Sequence, residues 1–151
     1  MNLADHERYM HRAIELARNV PRLPFGAVIV DRESAAIVAE GWNRGEENPI
    51  WHGEIDALNR LAQMSKRPLA SQLLLYTTAE PCPMCQSAIL WAGIGGVVFG
   101  TSIRRLQSQG WRQIDIVAEE IIRRTPFANC TLLGGVLERQ CNALFDAAVR
   151  Y

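Results

Sequence analysis

The sequence predicts an α/β protein: one three-layer α/β/α domain spanning residues 1–151, built on a central mixed sheet of about five strands. Three observations lead there. Stretches of helical period alternate along the chain with short apolar runs rich in Val, Ile and Leu. Two of those runs, residues 26–30 and 36–40, flank a turn at residues 31–34, which is the pattern of a β-hairpin. Two later ones, residues 73–77 and 97–99, are separated by a helical stretch, which favours parallel pairing.

Composition narrows the class further. A chain of 151 residues can bury a core without staples, and 48% hydrophobic with 21% charged residues is the balance of a soluble globular protein. No apolar run approaches the roughly 20 residues of a membrane span. The start, Met1-Asn2-Leu3-Ala4-Asp5, lacks a basic region followed by an apolar one, so the expected address is cytoplasmic. Sixteen basic residues balance sixteen acidic ones. Tight nucleic-acid binding needs a cationic surplus, so the expected partner is a small molecule, with nucleic acid disfavoured.

The elements follow in order. Met10, Ala13, Ile14 and Ala17 form one stripe of a helix over residues 3–20, capped by Asn2 or Asp5 and ended by Pro21 and Pro24. His6 and His11 lie five apart on different faces and are expected on the solvated surface. The hairpin is expected at the middle of the sheet, and residues 44–49 form a polar loop. Ile55, Leu58, Leu61 and Ala62 give a second helix over residues 52–64. The third strand delivers residues 80–85 at its carboxyl end, where α/β sheets place their sites. A further helix runs to Ala92 and is broken by Gly93-Ile94-Gly95-Gly96, which lacks the layout of a phosphate loop. Residues 101–110 are a loop or short helix. Residues 113–123 read as a helix with Ile114, Val117, Ala118 and Ile121 inward. A fifth strand at 131–133 and a final helix over 136–149 complete the chain.

Two short motifs carry chemistry. His52-Gly53-Glu54 and Pro81-Cys82-Pro83-Met84-Cys85 together supply one imidazole and two thiolates. Those are three ligands for a tetrahedral Zn2+ whose fourth position stays open, the arrangement of a catalytic site. Zinc lowers the pKa of a water in that position to about 7, which provides a nucleophile at neutral pH. Glu54, beside a ligand but off the metal, can take the water's proton, pass it to a ring nitrogen and then protonate a departing amine. Cys82 and Cys85, three apart, share a face at the first turn of a helix, where Pro83 is tolerated and the helix dipole favours thiolate. His52 and Glu54 are roughly 200° apart around a continuous helix, so they converge only at its opening turn. The expected metal therefore sits between two helix N-termini. A lone C-x-x-C also fits a redox pair or half a structural zinc knuckle, but the upstream H-x-E favours catalysis. Cys130 and Cys141 are expected as reduced core residues.

The paired H-x-E and P-C-x-x-C signature resembles that of the zinc-dependent cytidine deaminase superfamily. Pro24-Phe25-Gly26-Ala27-Val28-Ile29-Val30, Glu40-Gly41-Trp42-Asn43, Leu75-Tyr76-Thr77-Thr78-Ala79-Glu80 and Ala88-Ile89-Leu90-Trp91-Ala92 extend the resemblance in order. It covers about Asp5 to Thr101 and looks most like the small bacterial guanine deaminases, with bacterial tRNA adenosine deaminases close behind. The resemblance implies a cytidine-deaminase-like fold, a homodimer or higher oligomer, Asn43 in contact with the base and Trp91 near the pocket. Asn43 by its chemistry can offer a donor and an acceptor to a heterocycle, or shape a turn beside Gly45. Trp51 stands before the zinc histidine, where these relatives carry a small residue. It either stacks on a flat base or plugs the core. Glu80 either touches substrate or braces the backbone. The expected activity is hydrolytic deamination of a free base, guanine first. Adenosine in tRNA, cytosine and an aminotriazine are the alternative substrates. A zinc-stabilised binding module is the non-enzymatic reading, and Glu54 argues against it because a structural zinc takes four ligands and no acid–base partner.

Overall fold

A computed structural model describes residues 1–127 and 129–148. It contains the expected five-stranded mixed sheet, ordered β2-β1-β3-β4-β5. Strand β1 (Gly26–Asp31) runs antiparallel to both β2 (Ile37–Trp42) and β3 (Leu73–Ala79). Strands β4 (Gly96–Thr101) and β5 (Thr131–Leu133) continue parallel from β3. The hairpin is thus central only in its first strand. Every residue of β1 is buried, whereas β2 alternates between buried and more exposed positions, as suits the sheet's edge.

Alternation along the interior strands feeds two cores. Val28, Val30, Leu74, Tyr76 and Val98 face α1 (Leu3–Ala17) and α6 (Glu138–Ala148). Ala27, Ile29, Leu73, Leu75 and Val97 face α2 (Gly53–Ala62), α3 (Pro83–Trp91) and, at its rim, α5 (Ala118–Arg123). That is the three-layer arrangement. Gly41 lets α2 lie directly on the sheet, since a Cβ there would meet the Ala57 amide nitrogen and stand 2.7 Å from the Gly53 carbonyl oxygen.

Helix α1 uses both of its expected capping residues. The Asp5 amide donates to Asn2 Oδ1 at 3.0 Å and the Asn2 amide to Asp5 Oδ2 at 3.1 Å, a reciprocal box. The helix ends at Ala17, and turns through Asn19 and Val20 carry the chain to Pro21. His6 is not fully solvated as expected; its Nδ1 lies 2.8 Å from the Tyr76 hydroxyl. Residues 103–108 form a short helix, α4 (Ile103–Ser108).

The expected helix over residues 113–123 exists only in its second half. Residues 112–117 are irregular, and Ile114 is 62% exposed. A buried carboxylate sets the start: Glu80 Oε2 accepts from the Ala118 amide at 2.8 Å, at the first residue of α5. The expected end of the last helix, at Val149, lies outside the described residues. Cys130 and Cys141 are buried and free, and burial pushes the Cys141 thiol up to about 12. No helix among the described residues is long and apolar enough to cross a membrane.

Candidate metal centre and active site

Two helix N-termini meet at the carboxyl end of β3. His52 is the N-cap of α2 and Cys82 the N-cap of α3, both in extended backbone. Pro83 takes the first helical position, where its missing N–H costs nothing, and Cys85 follows one turn in. His52 Nδ1 lies 3.6 Å from both Cys82 Sγ and Cys85 Sγ. A tetrahedral zinc with bonds of roughly 2.3 Å to sulfur and 2.0–2.1 Å to nitrogen sets those atoms about 3.5 Å apart. The donor set and its spacing therefore fit zinc. The hydrogen bond from Cys85, then burial in opposition, then His52, hold the Cys82 thiol down at about 4, a thiolate at neutral pH. The bond to Cys82 in turn raises His52, against burial.

Glu54, at the second position of α2, is 3% exposed and its Oε1 accepts from the Thr77 hydroxyl at 3.0 Å. Burial raises its pKa, with the charge of Cys82 adding to it. A cavity of about 180 Å³ opens above these groups. Its floor is Glu54, His52 and Cys82. Leu23, Phe25, Trp111, Arg112 and Gln113 complete its lining together with Asn43 and Glu80. Phe25 and Trp111 meet edge to face at 5.6 Å, with Phe145 wedged behind both.

Asn43 follows β2 and lines this cavity, while its Oδ1 accepts from the Gly45 amide at 2.7 Å. The turn role and the pocket role coincide in one side chain, which leaves the Nδ2 donors free. Glu80 also lines the cavity and is buried. Both of its oxygens are occupied by backbone, at 2.9 Å from the Ile103 amide and 2.8 Å from the Ala118 amide. Bracing is thus its visible work.

The two tryptophans lie elsewhere. Trp51 is outside the cavity lining, and its Nε1 donates to Asp56 Oδ1 at 3.1 Å. Trp91 is 77% exposed and packs on Phe127 at 4.8 Å. It ends α3, nine residues long, so it stands roughly 12 Å along the helix from the ligands that open it.

Several contributing residues carried no signal in the sequence reading. Asp56, buried in α2, accepts from the Trp42 amide at 3.2 Å as well as from Trp51, and pairs with Arg44 Nε at 3.3 Å and Arg60 Nε at 3.4 Å. It thereby tethers the residues immediately before Asn43 and His52. Trp111, Arg112 and Gln113 carried none either, because they border a stretch whose spacing looks helical, and Thr77 was visible only as part of the Leu75–Glu80 motif. Phe25 was visible only as part of the Pro24–Val30 motif.

With this geometry in view, residues 3–101 match the cytidine and deoxycytidylate deaminase zinc-binding region family. The chain is 34% identical over 140 residues to guanine deaminase of Bacillus subtilis strain 168, covering 85% of this chain and 87% of that one. It is 41% identical over 101 residues to tRNA-specific adenosine deaminase of Haemophilus influenzae, covering 64% and 58%. A solved structure of a variant protein in complex with 8-azaguanine superposes at TM-score 0.82 with 25% identity, covering 96% and 84%. The B. subtilis guanine deaminase structure superposes at TM-score 0.65, covering 85% of each chain. The match ends at Thr101, where the sequence resemblance also thins, and the chain belongs to the cytidine and deoxycytidylate deaminase zinc-binding family.

Proposed function

We propose that this deaminase acts on a free aminated base, guanine first, replacing the amine with an oxo group and releasing ammonia. The observation that carries the reading is the small cavity whose lining joins Glu54 to the metal ligands and includes the contacting aromatic pair Phe25 and Trp111. At about 180 Å³ it is smaller than the roughly 300–1,000 Å³ of pockets for drug-sized ligands. The relatives named guanine deaminase, and the 8-azaguanine bound in a structural neighbour, support the choice of base.

When bound, zinc supplies the Lewis acidity that makes its water nucleophilic near neutral pH. Glu54, held by Thr77, takes one proton from the attacking water and passes it to a ring nitrogen, then carries the second, from the hydroxyl formed on the ring carbon, to the departing amine. The C–N bond breaks as the carbonyl forms. Asn43, with its Oδ1 fixed by the Gly45 amide, donates its Nδ2 hydrogens to a ring acceptor. We further propose that residues 1–151 act as one domain and that the protein is a cytoplasmic homodimer. Free cysteines among the described residues and the exposed pair Trp91 and Phe127 support this.

The test is ammonia release from the zinc-loaded protein against guanine, adenine, cytosine, their nucleosides, aminotriazines and a tRNA anticodon stem. Release from guanine, lost in Glu54→Gln with zinc retained, supports the proposal. Release from another free base replaces guanine. A second reading, tRNA adenosine deamination, rests on the 41% identity to the Haemophilus protein. Reaction of the RNA alone, with affinity falling steeply in salt, would establish that reading instead.

A further inference from the structure

We propose that Arg112 and Gln113 determine the specificity of this pocket, by selecting a ring with an exocyclic oxo group remote from the amine that leaves. The inference rests on the deaminase reading above and goes further, to how the substrate is told from its near neighbours.

Donors and acceptors are unevenly balanced among the cavity's lining residues. Asn43 has its carbonyl oxygen engaged by Gly45 and two N–H groups to offer. Arg112, the one Lys or Arg on the lining, forms no hydrogen bond or ion pair among the described residues and offers five N–H groups with no acceptor. Gln113 offers two more N–H groups together with a carbonyl oxygen. Against these stand two carboxylates. Glu80 already accepts a backbone N–H at each oxygen, and Glu54 is reserved for proton transfer. The free hydrogen-bonding capacity of the wall therefore lies heavily on the donor side. A ring that presents an oxo group to it gives those donors a partner, and a charge-assisted one at Arg112. A ring that presents an amino group there sets donor against donor, so the exposed Arg112 keeps only water as its partner and the charge-assisted bond is lost.

Arg112 could instead merely offset the carboxylate charge of Glu54 and Glu80. That role treats both kinds of ring alike, so a ratio of substrates separates the two. Guanine and 2,6-diaminopurine share the amine at position 2 and differ at position 6, oxo against amino. We expect the native enzyme to favour guanine in kcat/KM by roughly 10- to 100-fold. Arg112→Met should cut that ratio by about tenfold, mostly through the KM for guanine, and Arg112→Lys should restore part of it. Gln113→Glu, which exchanges two donors for an acceptor, should shift the ratio toward 2,6-diaminopurine. A ratio unchanged in both Arg112→Met and Gln113→Glu, with zinc content and melting temperature intact, overturns the specificity role and leaves guanine deamination standing. Failure of the native enzyme to release ammonia from either purine removes the reading on which the proposal rests, and the proposal with it.

Discussion

The floor of the cavity and its outer wall are built in opposite ways. On the floor, His52, Glu54, Cys82 and Cys85 all sit at the opening turns of α2 and α3, over strands whose residues are buried. Their backbone is fixed by helix and sheet hydrogen bonds and by the close seat of α2 on Gly41. The wall, Trp111 to Gln113, belongs to an irregular stretch between α4 and α5. Its anchors are few: Trp111 packed on Phe25 and Phe145, the Trp111 amide on the Leu106 carbonyl, and Glu80 holding the start of α5. Chemistry that tolerates little misplacement rests on rigid elements, while substrate choice rests on a segment that can vary without disturbing it. Glu80 connects the two, because it directly precedes the Pro81–Cys85 motif and its carboxylate fixes the wall.

Metal removal should separate these regions most sharply. Stripping zinc with a chelator should abolish turnover and restore it on readdition. Zinc at about a thousandfold over its Kd stabilises the fold by roughly 4 kcal/mol. Calorimetry should then show the melting temperature rising by about 8–16 °C on loading. Turnover by the stripped protein would break the assignment of the floor.

Asp56→Ala should come next. It leaves the Trp42 amide and Trp51 Nε1 without this acceptor, removes the buried counter-charge of Arg60, and leaves Arg44 only its exposed pairing with Glu47 at 3.4 Å. We expect a loss of about 3 kcal/mol in denaturant unfolding. Zinc affinity should fall about 10- to 100-fold in competition with a chelator, since Asp56 tethers the residue before His52. Retention of native zinc affinity would confine Asp56 to stability alone. Glu80→Gln should act on the wall instead. An amide keeps only one acceptor, so one of the two backbone N–H groups is released, at about 1–2 kcal/mol. KM should rise several-fold with zinc content unchanged; a changed zinc content with native KM would reverse the assignment.

The same contrast decides what the sequence could reveal. Cys82 and Cys85 share one helical turn, and the pairing of P-C-x-x-C with an upstream H-x-E made His52, Cys82 and Cys85 readable as a metal set, while the apolar runs of β1, β3 and β4 were readable from their length. The wall was misread because Ile114, Val117, Ala118 and Ile121 recur at helical intervals. What starts α5 at Ala118 is a carboxylate 38 residues earlier in the chain, and no local pattern reports it. Trp91 was placed near the pocket by resemblance, and the length of α3 removes it. Trp51 was open between stacking and packing, and its Nε1 donates to Asp56, five residues away across the start of α2.

The smallest expected effect lies on the opposite side of the sheet from the metal, in α1. His6 Nδ1 and the Tyr76 hydroxyl are 2.8 Å apart, the hydroxyl also donates to Met1 Sδ at 3.5 Å, and burial raises the Tyr76 pKa. Burial, and then the positive amino terminus, lower the His6 pKa below its ordinary 6.5, with Asp5 opposing. The fold therefore favours neutral His6 while the unfolded chain protonates near 6.5. The stabilisation is complete above that pH and is lost as pH falls through it. The melting temperature of the native protein should drop by about 1 °C more, between pH 7.5 and 5.5, than that of His6→Gln, which keeps an acceptor and does not titrate. The zinc content of the two proteins should stay equal throughout, because His6 and the metal ligands share no contact. Parallel melting curves would show that the His6–Tyr76 contact does not select the neutral ring. A difference in zinc content would show that α1 and the floor are coupled through β3, the strand that carries both Tyr76 and Thr77.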